Sequence, residues 1–256
     1  WLRAACNLIN PLSVVLTKEV LSQTYLMADE TPIKVLDKDK KGTTHLGYYW
    51  VYHAPLLNMT LYQYRPGRGR EGPTELLKSF KGRLQTDGYA VYECLNNPNI
   101  TLINCMAHAR REFDEALSND AVRAKYVLEQ MQKLYAIERR AKEGNMSPAQ
   151  RLELRQLESV ALLQGLHQWF RENIVQVIPK SPIGKAIAYS LQRWEKLSYY
   201  ATDGEVNIDN NHVENAIRPL AVGRKNYLFA GSHQAAQRAA EFYSLLNTCK
   251  LNGIEP

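Results

Sequence analysis

Short apolar runs and alternating segments over the first 105 positions predict a set of β-strands. The segments GYYWVYHAP and NMTLYQYRPG alternate aromatic with smaller residues, which is typical of paired strands. The predicted strands cover residues 24–31, 47–55, 58–67, 82–88 and 101–105, with a polar turn over 37–42. Helices are predicted over residues 1–23, interrupted near Pro11, and over residues 72–80. The order is therefore helix, three strands, helix and two strands.

Beyond about residue 107 the apolar residues recur at helical spacing instead, as far as about residue 200. Within this stretch, Ser147 followed by Pro148 predicts the start of a helix. Serine accepts hydrogen bonds from the free amides of a helix start, and proline suits the first helical position. We therefore predict an all-helical insertion over residues 116–204.

A further helix is predicted after Asp209, which can cap it. This helix would carry Asn210, Glu214 and Arg218 on one face, because they are spaced four residues apart. Pro219 is expected to end or kink the helix, since proline lacks an amide donor.

The remaining residues predict a glycine-bounded loop over 223–231 and a last helix over 232–250, which Ser232 caps and Gly253 follows. Together the elements predict an α/β protein with a mixed sheet flanked by helices. The predicted divisions are an N-terminal helical segment (1–23), a first part of the core (24–115), the helical insertion (116–204) and a second part of the core (205–256).

Composition and charge permit a nucleic-acid partner without requiring one. The chain has 256 residues, a net charge of +6 and a pI of about 9.0. The four cysteines are scattered and form no CxxC motif, so we expect reduced thiols in a cytoplasmic protein. No uninterrupted apolar stretch is long enough to span a membrane. Because the chain begins without Met, we expect a fragment of a longer protein.

Three acidic residues stand in distinctive settings. Asp29 and Asp87 follow apolar, strand-like runs, and Glu214 lies on the predicted helix far downstream. Open α/β sheets bind ligands at the carboxyl edge of their strands, so Asp29 and Asp87 would meet there if their strands are neighbours. Glu30 is the rival to Asp29, but strand alternation sends it to the opposite face. Such carboxylates are the hard oxygen ligands that Mg²⁺ and Mn²⁺ prefer.

Four longer strings carry a resemblance to a known family. They are ADETPIKVL (28–36), TDGYAVY (86–92), INCMAHARREF (103–113) and NNHVENAIRPLAVGRKNYLFAGS (210–232). In these strings the chain resembles the catalytic part of DDE transposases of the IS66 insertion-sequence family. The strings span most of the chain, and the last one is long and specific.

The resemblance implies a ribonuclease-H-like core with Asp29, Asp87 and Glu214 as catalytic and metal-binding residues. It implies two Mg²⁺ or Mn²⁺ ions, cleavage of DNA at the ends of a mobile element, and transfer of the freed 3′ hydroxyl to target DNA. The expected partner is DNA in the bacterial nucleoid, with a homo-oligomer as the active form and no membrane association. The alternatives are a ribonuclease-H-like nuclease that does not join strands and an inactive remnant that only holds DNA.

Cys105 and His108 form a second candidate group, with the spacing Cys-x-x-His at a strand-to-helix junction. Zinc would need further ligands, and no other Cys or His shows paired spacing. The resemblance matches these residues to a signature that shapes the active site or contacts a substrate phosphate. The alternative is a buried thiol with a capping histidine.

Basic residues form a third group. Arg110 follows His108, and Arg218, Arg224 and Lys225 flank the glutamate of the triad. Their charges can neutralise phosphates, the main source of affinity for nucleic acids. The glycine-rich stretch that holds Arg65, Arg68 and Arg70 is a further candidate for DNA contact.

Overall fold

A computed structural model describes residues 2–37 and 43–255. Most of the polar turn predicted over 37–42 lies outside the described residues. The chain divides into two compact units, residues 1–102 with 210–256, and residues 103–209. The predicted insertion over 116–204 falls within the second unit. Among the described helices, none combines the length and the apolar character that crossing a membrane requires.

A five-stranded mixed sheet forms the centre of the first unit. All five predicted strands are present, in the sheet order β3-β2-β1-β4-β5. β1 pairs antiparallel with β2 and parallel with β4, and β2 pairs antiparallel with β3. The strands are β1 (Tyr25–Leu36), β2 (Thr44–Ala54), β3 (Met59–Arg65), β4 (Gly82–Thr86) and β5 (Ile100–Asn104).

The prediction that the first strand covers only residues 24–31 is wrong, because β1 continues to Leu36. β1 pairs with β2 from Met27 to Leu36 but with β4 only over its first three residues. The long antiparallel pairing keeps β1 extended after β4 has ended. Further along, Ala230 occupies the edge that β4 leaves free, through hydrogen bonds with Lys34 and Leu36 of 2.8 Å each.

The helices are named in chain order. They are α1 (Leu2–Ser22), α2 (Glu71–Leu76), α3 (Ala90–Glu93), α4 (Met106–Glu115), α5 (Ala121–Glu143), α6 (Pro148–Leu154), α7 (Val160–Asn173), α8 (Pro182–Gln192), α9 (Trp194–Ser198), α10 (Asn211–Asn226) and α11 (His233–Leu251). Short 3₁₀ turns lie at Ala116–Ser118, Ile174–Gln176 and Tyr199–Thr202, and a π turn lies at Arg155–Ser159.

The prediction that Pro11 interrupts the first helix is wrong, because α1 runs through it. Of the two outcomes expected at Pro219, the end of the helix is wrong, because α10 continues to Asn226. A proline inside a helix costs ~3 kcal/mol because it removes one hydrogen bond and crowds the preceding turn. In α10, burial of Val213, Ala216 and Leu220 against the sheet offsets that cost.

Capping follows the sequence at two of three predicted sites. Ser147 forms a capping box with Gln150 and precedes Pro148 at the first helical position. Ser232 accepts a hydrogen bond from the backbone amide of α11 at 3.1 Å. The prediction that Asp209 caps α10 is wrong, since Asn210 occupies the N-cap position and its side chain does not cap the helix.

The first unit buries both faces of its sheet. On one face, Trp50, Tyr52 and Leu84 pack in a cluster with Val20 of α1 and Phe80. The opposite face is covered by α10, which packs on β1 and β2, and by α11, which packs on β3. Hydrogen bonds tie these layers together: the Tyr49 hydroxyl donates to a backbone carbonyl of α11 at 3.1 Å, and the Tyr62 hydroxyl donates to one of α10.

The second unit is mainly helical and is organised around a buried arginine. The Arg155 side chain is fully buried and donates two hydrogen bonds to the Glu138 carboxylate, at 2.8 and 2.5 Å. Its remaining nitrogen donates to the backbone carbonyls of Tyr200, Asp203 and Val206. Arg155 therefore ties the irregular segment after α9 to α5.

Replacing Arg155 with methionine should destabilise the protein strongly. The change leaves a partly buried carboxylate and three carbonyls without their donor, at a cost of ~3–5 kcal/mol. Arg140→Met is the matched control, because Arg140 pairs with Glu158 between α5 and the same π turn but is 54% exposed. Breaking that pair should cost less than ~1 kcal/mol. Urea unfolding measures both changes, and equal small losses of stability would contradict the role given to Arg155.

Candidate active site

Asp29 lies in the middle of β1 and is half-buried. One of its carboxylate oxygens accepts a hydrogen bond from the backbone amide of Glu30 at 2.7 Å. In the antiparallel register Asp29 is opposite Val51, so their side chains share one face of the sheet. That is the face on which α10 packs, since His53, two residues from Val51, stacks on His212 of α10 with 5.9 Å between ring centroids.

Asp87 follows β4 directly, on the strand next to β1. The parallel register pairs Met27 with Gln85, and extending it by two residues places Asp87 beside Asp29. An oxygen of Asp87 accepts a hydrogen bond from the backbone amide of Tyr89 at 2.8 Å. Gly88 permits this tight turn with a φ of 92°, a conformation that favours glycine.

Glu214 reaches the same place from above the sheet. It lies in the first turn of α10, two residues after His212. The stacked His53–His212 pair anchors this helix start on the sheet. Burial, together with the neighbouring ring, lowers the pKa of His53 to about 4, so the His53 ring packs as a neutral group near pH 7.

The charges of the acidic residues act on one another. Burial raises the pKa of Asp29 to about 7, and the negative charges of Glu30, Asp87 and Glu214 add to that increase. All three predicted triad residues therefore lie in the first unit and within electrostatic reach of Asp29. Each of these neighbouring charges makes the ionised form of Asp29 less favourable.

Glu30 lies on the opposite face of β1, as strand alternation predicted, but close to the site. Its side chain is only 2% exposed and pairs with Arg68, whose Nε donates to Oε1 at 2.8 Å. The Arg68 guanidinium in turn lies over the Tyr89 ring, 4.2 Å from its centroid. Burial raises the pKa of Glu30, and the bond from Arg68 opposes that increase.

This pair gives Arg68 a partner that the sequence did not indicate. The sequence offers Arg68 as a candidate for DNA contact, but the structure commits its charge to Glu30. Glu30 contributes to the raised pKa of Asp29 and, through Arg68 and Tyr89, supports the turn that carries Asp87. The sequence gives no signal for this link, because residues 30 and 68 are far apart in the chain.

The carboxylate oxygens of Asp29, Asp87 and Glu214 are of the type that binds divalent cations. Three carboxylates that share one place and repel one another would be stabilised by a cation with hard oxygen preferences. Within residues 2–37 and 43–255, however, no group of three or more His, Cys, Asp or Glu side chains is already placed to hold a metal ion. The carboxylates would have to draw together around a cation.

The basic residues near Glu214 lie on α10 itself. The prediction that Arg224 and Lys225 are on a loop is wrong, because the helix continues to Asn226. The Arg224 guanidinium donates to the backbone carbonyl of Pro32 in β1. Arg218 and Lys225 are exposed, and among the described residues no ion pair involves Arg218.

Cys105, His108 and Arg110 belong to the second unit. Cys105 is fully buried at the N-cap of α4, His108 is half-buried, and Arg110 is exposed. Cys105 and Arg110 lie close enough to the Tyr135 hydroxyl to influence it, although burial is the main cause of its raised pKa. The thiol is therefore part of the packing of its own unit.

Comparison with known proteins gives a consistent picture. The sequence model described as Transposase IS66 family matches residues 1–238. The uncharacterized protein y4qI of Sinorhizobium fredii is 35% identical over 247 residues, covering 90% of this chain and 45% of the relative. The uncharacterized protein y4hP of the same organism is 30% identical over 268 residues, covering 96% and 48%. The chain spans about half the length of these relatives, and no solved structure matches it.

Neutralising Asp29 should stabilise the metal-free protein in a pH-dependent way. The folded-state pKa of about 7 lies above the unfolded value of ~3.9, so protonation of Asp29 favours folding. The contribution of protonated Asp29 to the free energy of unfolding is fully present below pH ~3.9 and is lost as the pH rises through about 7. Asp29→Asn should therefore raise the melting temperature in EDTA by at least ~2 °C more at pH 8 than at pH 4.5.

The control for this measurement is Asp114→Asn, at an exposed position of α4. It should give the same small change at both pH values. An Asp29→Asn gain that does not grow with pH would show that the negative charge around Asp29 is already compensated.

Proposed function

Because the chain belongs to the IS66 family of transposases, we propose that it is the catalytic part of a DDE transposase. The observation that supports the proposal is that Asp87 and Glu214 lie within electrostatic reach of Asp29. The proposed substrate is DNA, at the ends of a mobile element and at a target site. The proposed setting is the bacterial cytoplasm, with a homo-oligomer as the active form.

A ribonuclease-H-like core is part of the proposal. Its support is the strand arrangement, with three antiparallel strands continued by β4 parallel to β1. Two neighbouring strands then supply one carboxylate each, and a helix on the sheet supplies the third. The helical unit interrupts the chain between β5 and α10, before the last acidic residue.

In the first reaction, water attacks a phosphorus atom at the element end, and the bond to the 3′ oxygen breaks to leave a free 3′ hydroxyl. In the second, that hydroxyl attacks a phosphorus atom of target DNA, and the target's own 3′ oxygen leaves. Asp29 and Asp87 would hold Mg²⁺ or Mn²⁺, with Glu214 completing the site. When bound, a pair of such cations supplies activation of the attacking oxygen and charge stabilisation at the leaving oxygen.

The protein's own groups prepare the site for this chemistry. Asp29, with its pKa of about 7, holds a proton on its carboxylate for part of the time at neutral pH and releases it on cation binding. Asp87 is oriented by the amide of Tyr89, and the ring of Tyr89 is fixed beneath Arg68. Glu214 lies in the first turn of α10, so a change of side-chain rotamer, with the helix held in place, can bring its carboxylate towards those of the strands.

Phosphate contacts are proposed for the basic residues that remain exposed. Arg218 lies one helical turn beyond Glu214, and Lys225 lies two turns further along the same exposed face. Arg224 is proposed to contribute indirectly as well, since its bond to Pro32 fixes the end of α10 against β1. In the second unit, exposed Arg110 is a further candidate, and Cys105 and His108 are proposed to shape the region at the start of α4.

Amide substitution at the triad should abolish both reactions. Asp29→Asn, Asp87→Asn and Glu214→Gln keep the side-chain shape but remove the charge that cations need. Loss of cation-assisted catalysis costs several kcal/mol, so we expect rates to fall ~1000-fold or more. The assay follows Mg²⁺-dependent cutting and joining of labelled element ends, with Asp114→Asn as the control. Undiminished cutting by Asp87→Asn would refute the triad, and cutting without joining by the unaltered protein would favour a nuclease.

Removing charge from α10 should weaken binding to all DNA sequences alike, because phosphate contacts carry no sequence information. For Arg218→Ala/Lys225→Ala, the plot of log affinity against log salt should flatten by ~0.9 for each duplex phosphate that the protein no longer neutralises. Arg171→Ala/Lys180→Ala removes two exposed charges of the second unit and serves as the control. Identical slopes for unaltered and α10-substituted protein would place the DNA elsewhere.

A further inference from the structure

The outer face of α10 forms a continuous exposed stripe that begins beside Glu214. Its members lie at helical spacing and are all exposed: Asn211, Asn215, Arg218, Val222 and Lys225. We call these five residues the α10 stripe. Side-chain amides lie at its start, and basic and apolar groups follow towards the end of the helix.

The stripe leads to two exposed apolar side chains. Leu228 is 75% exposed and Phe229 is 42% exposed, and they stand next to each other between α10 and α11. Single exposed apolar residues are common on protein surfaces. This pair is distinctive because it lies at the end of a basic helix face that starts at the proposed catalytic glutamate.

The backbone that carries the pair is held on both sides. Ala230 exchanges hydrogen bonds with Lys34 and Leu36 of β1, at 2.8 Å each. Before the pair, the hydroxyls of Tyr227 and Tyr243 lie 2.9 Å apart, which attaches this side to α11. Leu228 and Phe229 are therefore presented on a fixed support, which lowers the entropy cost of using them to bind a partner.

The charge around the pair favours a nucleic acid over a protein as the partner. Residues 215–240 contain no Asp or Glu, although 26 of the 256 residues of the chain are acidic. The same stretch contains Arg218 and Lys225, which are exposed on α10. A helix face that carries these two charges and leads to an exposed aromatic side chain can follow a phosphate backbone and stack on a base.

The length of α10 between Glu214 and the apolar pair determines which bases the pair could reach. Glu214 and Asn226 are twelve residues apart on α10, which is ~18 Å at ~1.5 Å per residue. A DNA strand advances ~3.4 Å per nucleotide in a duplex, so this length corresponds to ~5 nucleotides. Apolar side chains such as leucine and phenylalanine can enter between bases and unstack them.

We propose that Leu228 and Phe229 bind unpaired DNA bases ~5 nucleotides from the phosphate that the triad cleaves. Phe229 stacks on an unpaired base, and Leu228 occupies the space left between neighbouring bases. The α10 stripe holds the intervening backbone through Arg218 and Lys225. This assignment rests on the proposed function, and it defines the substrate as a DNA end with locally opened base pairs.

Binding of two DNA probes tests the proposal without any cleavage step. The probes are a fully paired duplex and a duplex of the same strand length whose last bases are mismatched to form a fork, both titrated in EDTA. Base stacking is worth ~1–3 kcal/mol per base, so the unaltered protein should bind the fork at least ~5-fold more tightly. Leu228→Ala/Phe229→Ala should bind both probes equally, and Phe229→Trp should keep the preference.

The matched control is Leu56→Ala/Leu57→Ala, which removes two adjacent exposed apolar side chains from the turn between β2 and β3. Leu36, which is hydrogen-bonded to Ala230, pairs with Thr44 at the start of β2, whereas this turn follows the end of β2. The control should therefore keep the preference for the fork. The proposal is overturned if the unaltered protein shows no preference, or if Leu228→Ala/Phe229→Ala retains it. If the unaltered protein shows no preference for the fork but self-associates, and only Leu228→Ala/Phe229→Ala abolishes that self-association, the pair is a protein contact instead. Because binding is measured without cleavage, this test can be interpreted even if the protein proves to be catalytically inactive.

Discussion

Crowding of negative charge at one point of the sheet is the constraint on which the rest of this unit depends. Asp29 is largely withdrawn from water and lies within reach of three other carboxylates, so its pKa is raised to about 7. An arrangement of this kind opposes folding at neutral pH unless something compensates the charge. Groups with a strongly raised pKa cluster at functional sites, and we propose that divalent cations compensate the charge here.

The surrounding fold holds these carboxylates together from two sides. The long pairing of β1 with β2 keeps Asp29 in an extended segment, and the shorter pairing with β4 brings Asp87 beside it. On one face the stacked histidines fix the start of α10 and with it Glu214. On the other face Glu30 and Arg68 neutralise each other and support Tyr89. Packing energy elsewhere in the core thus offsets the electrostatic cost at the site.

Much of this could be predicted from the sequence. Period-two alternation located β2 and β3, short apolar runs located the other three strands, and serine caps located the starts of α6 and α11. The family resemblance, carried by four strings of residues, is confirmed by the family match over residues 1–238. These features are local, so a single stretch of chain contains the information that determines them.

The features that the sequence could not supply depend on distant contacts. Burial of α10 against the sheet carries the helix through Pro219, which local rules treat as a stop. The same extension moves Arg224 onto the helix and into contact with β1. Glu30 and Arg68, and likewise Arg155 and the carbonyls after α9, are joined only by the tertiary fold. Charge pairs between residues far apart in the chain leave no repeating pattern in a single sequence.

We propose that Asp29, Asp87 and Glu214 act together as ligands of divalent cations. A crystal of the protein soaked in Mn²⁺ tests it most directly, because anomalous scattering locates the metal independently of the protein coordinates. The account predicts anomalous peaks between Asp29 and Asp87, with a carboxylate oxygen of Glu214 drawn into the coordination and two ions ~3.5–4 Å apart. Manganese bound only at other residues, or none bound at these carboxylates at saturating concentration, would contradict it.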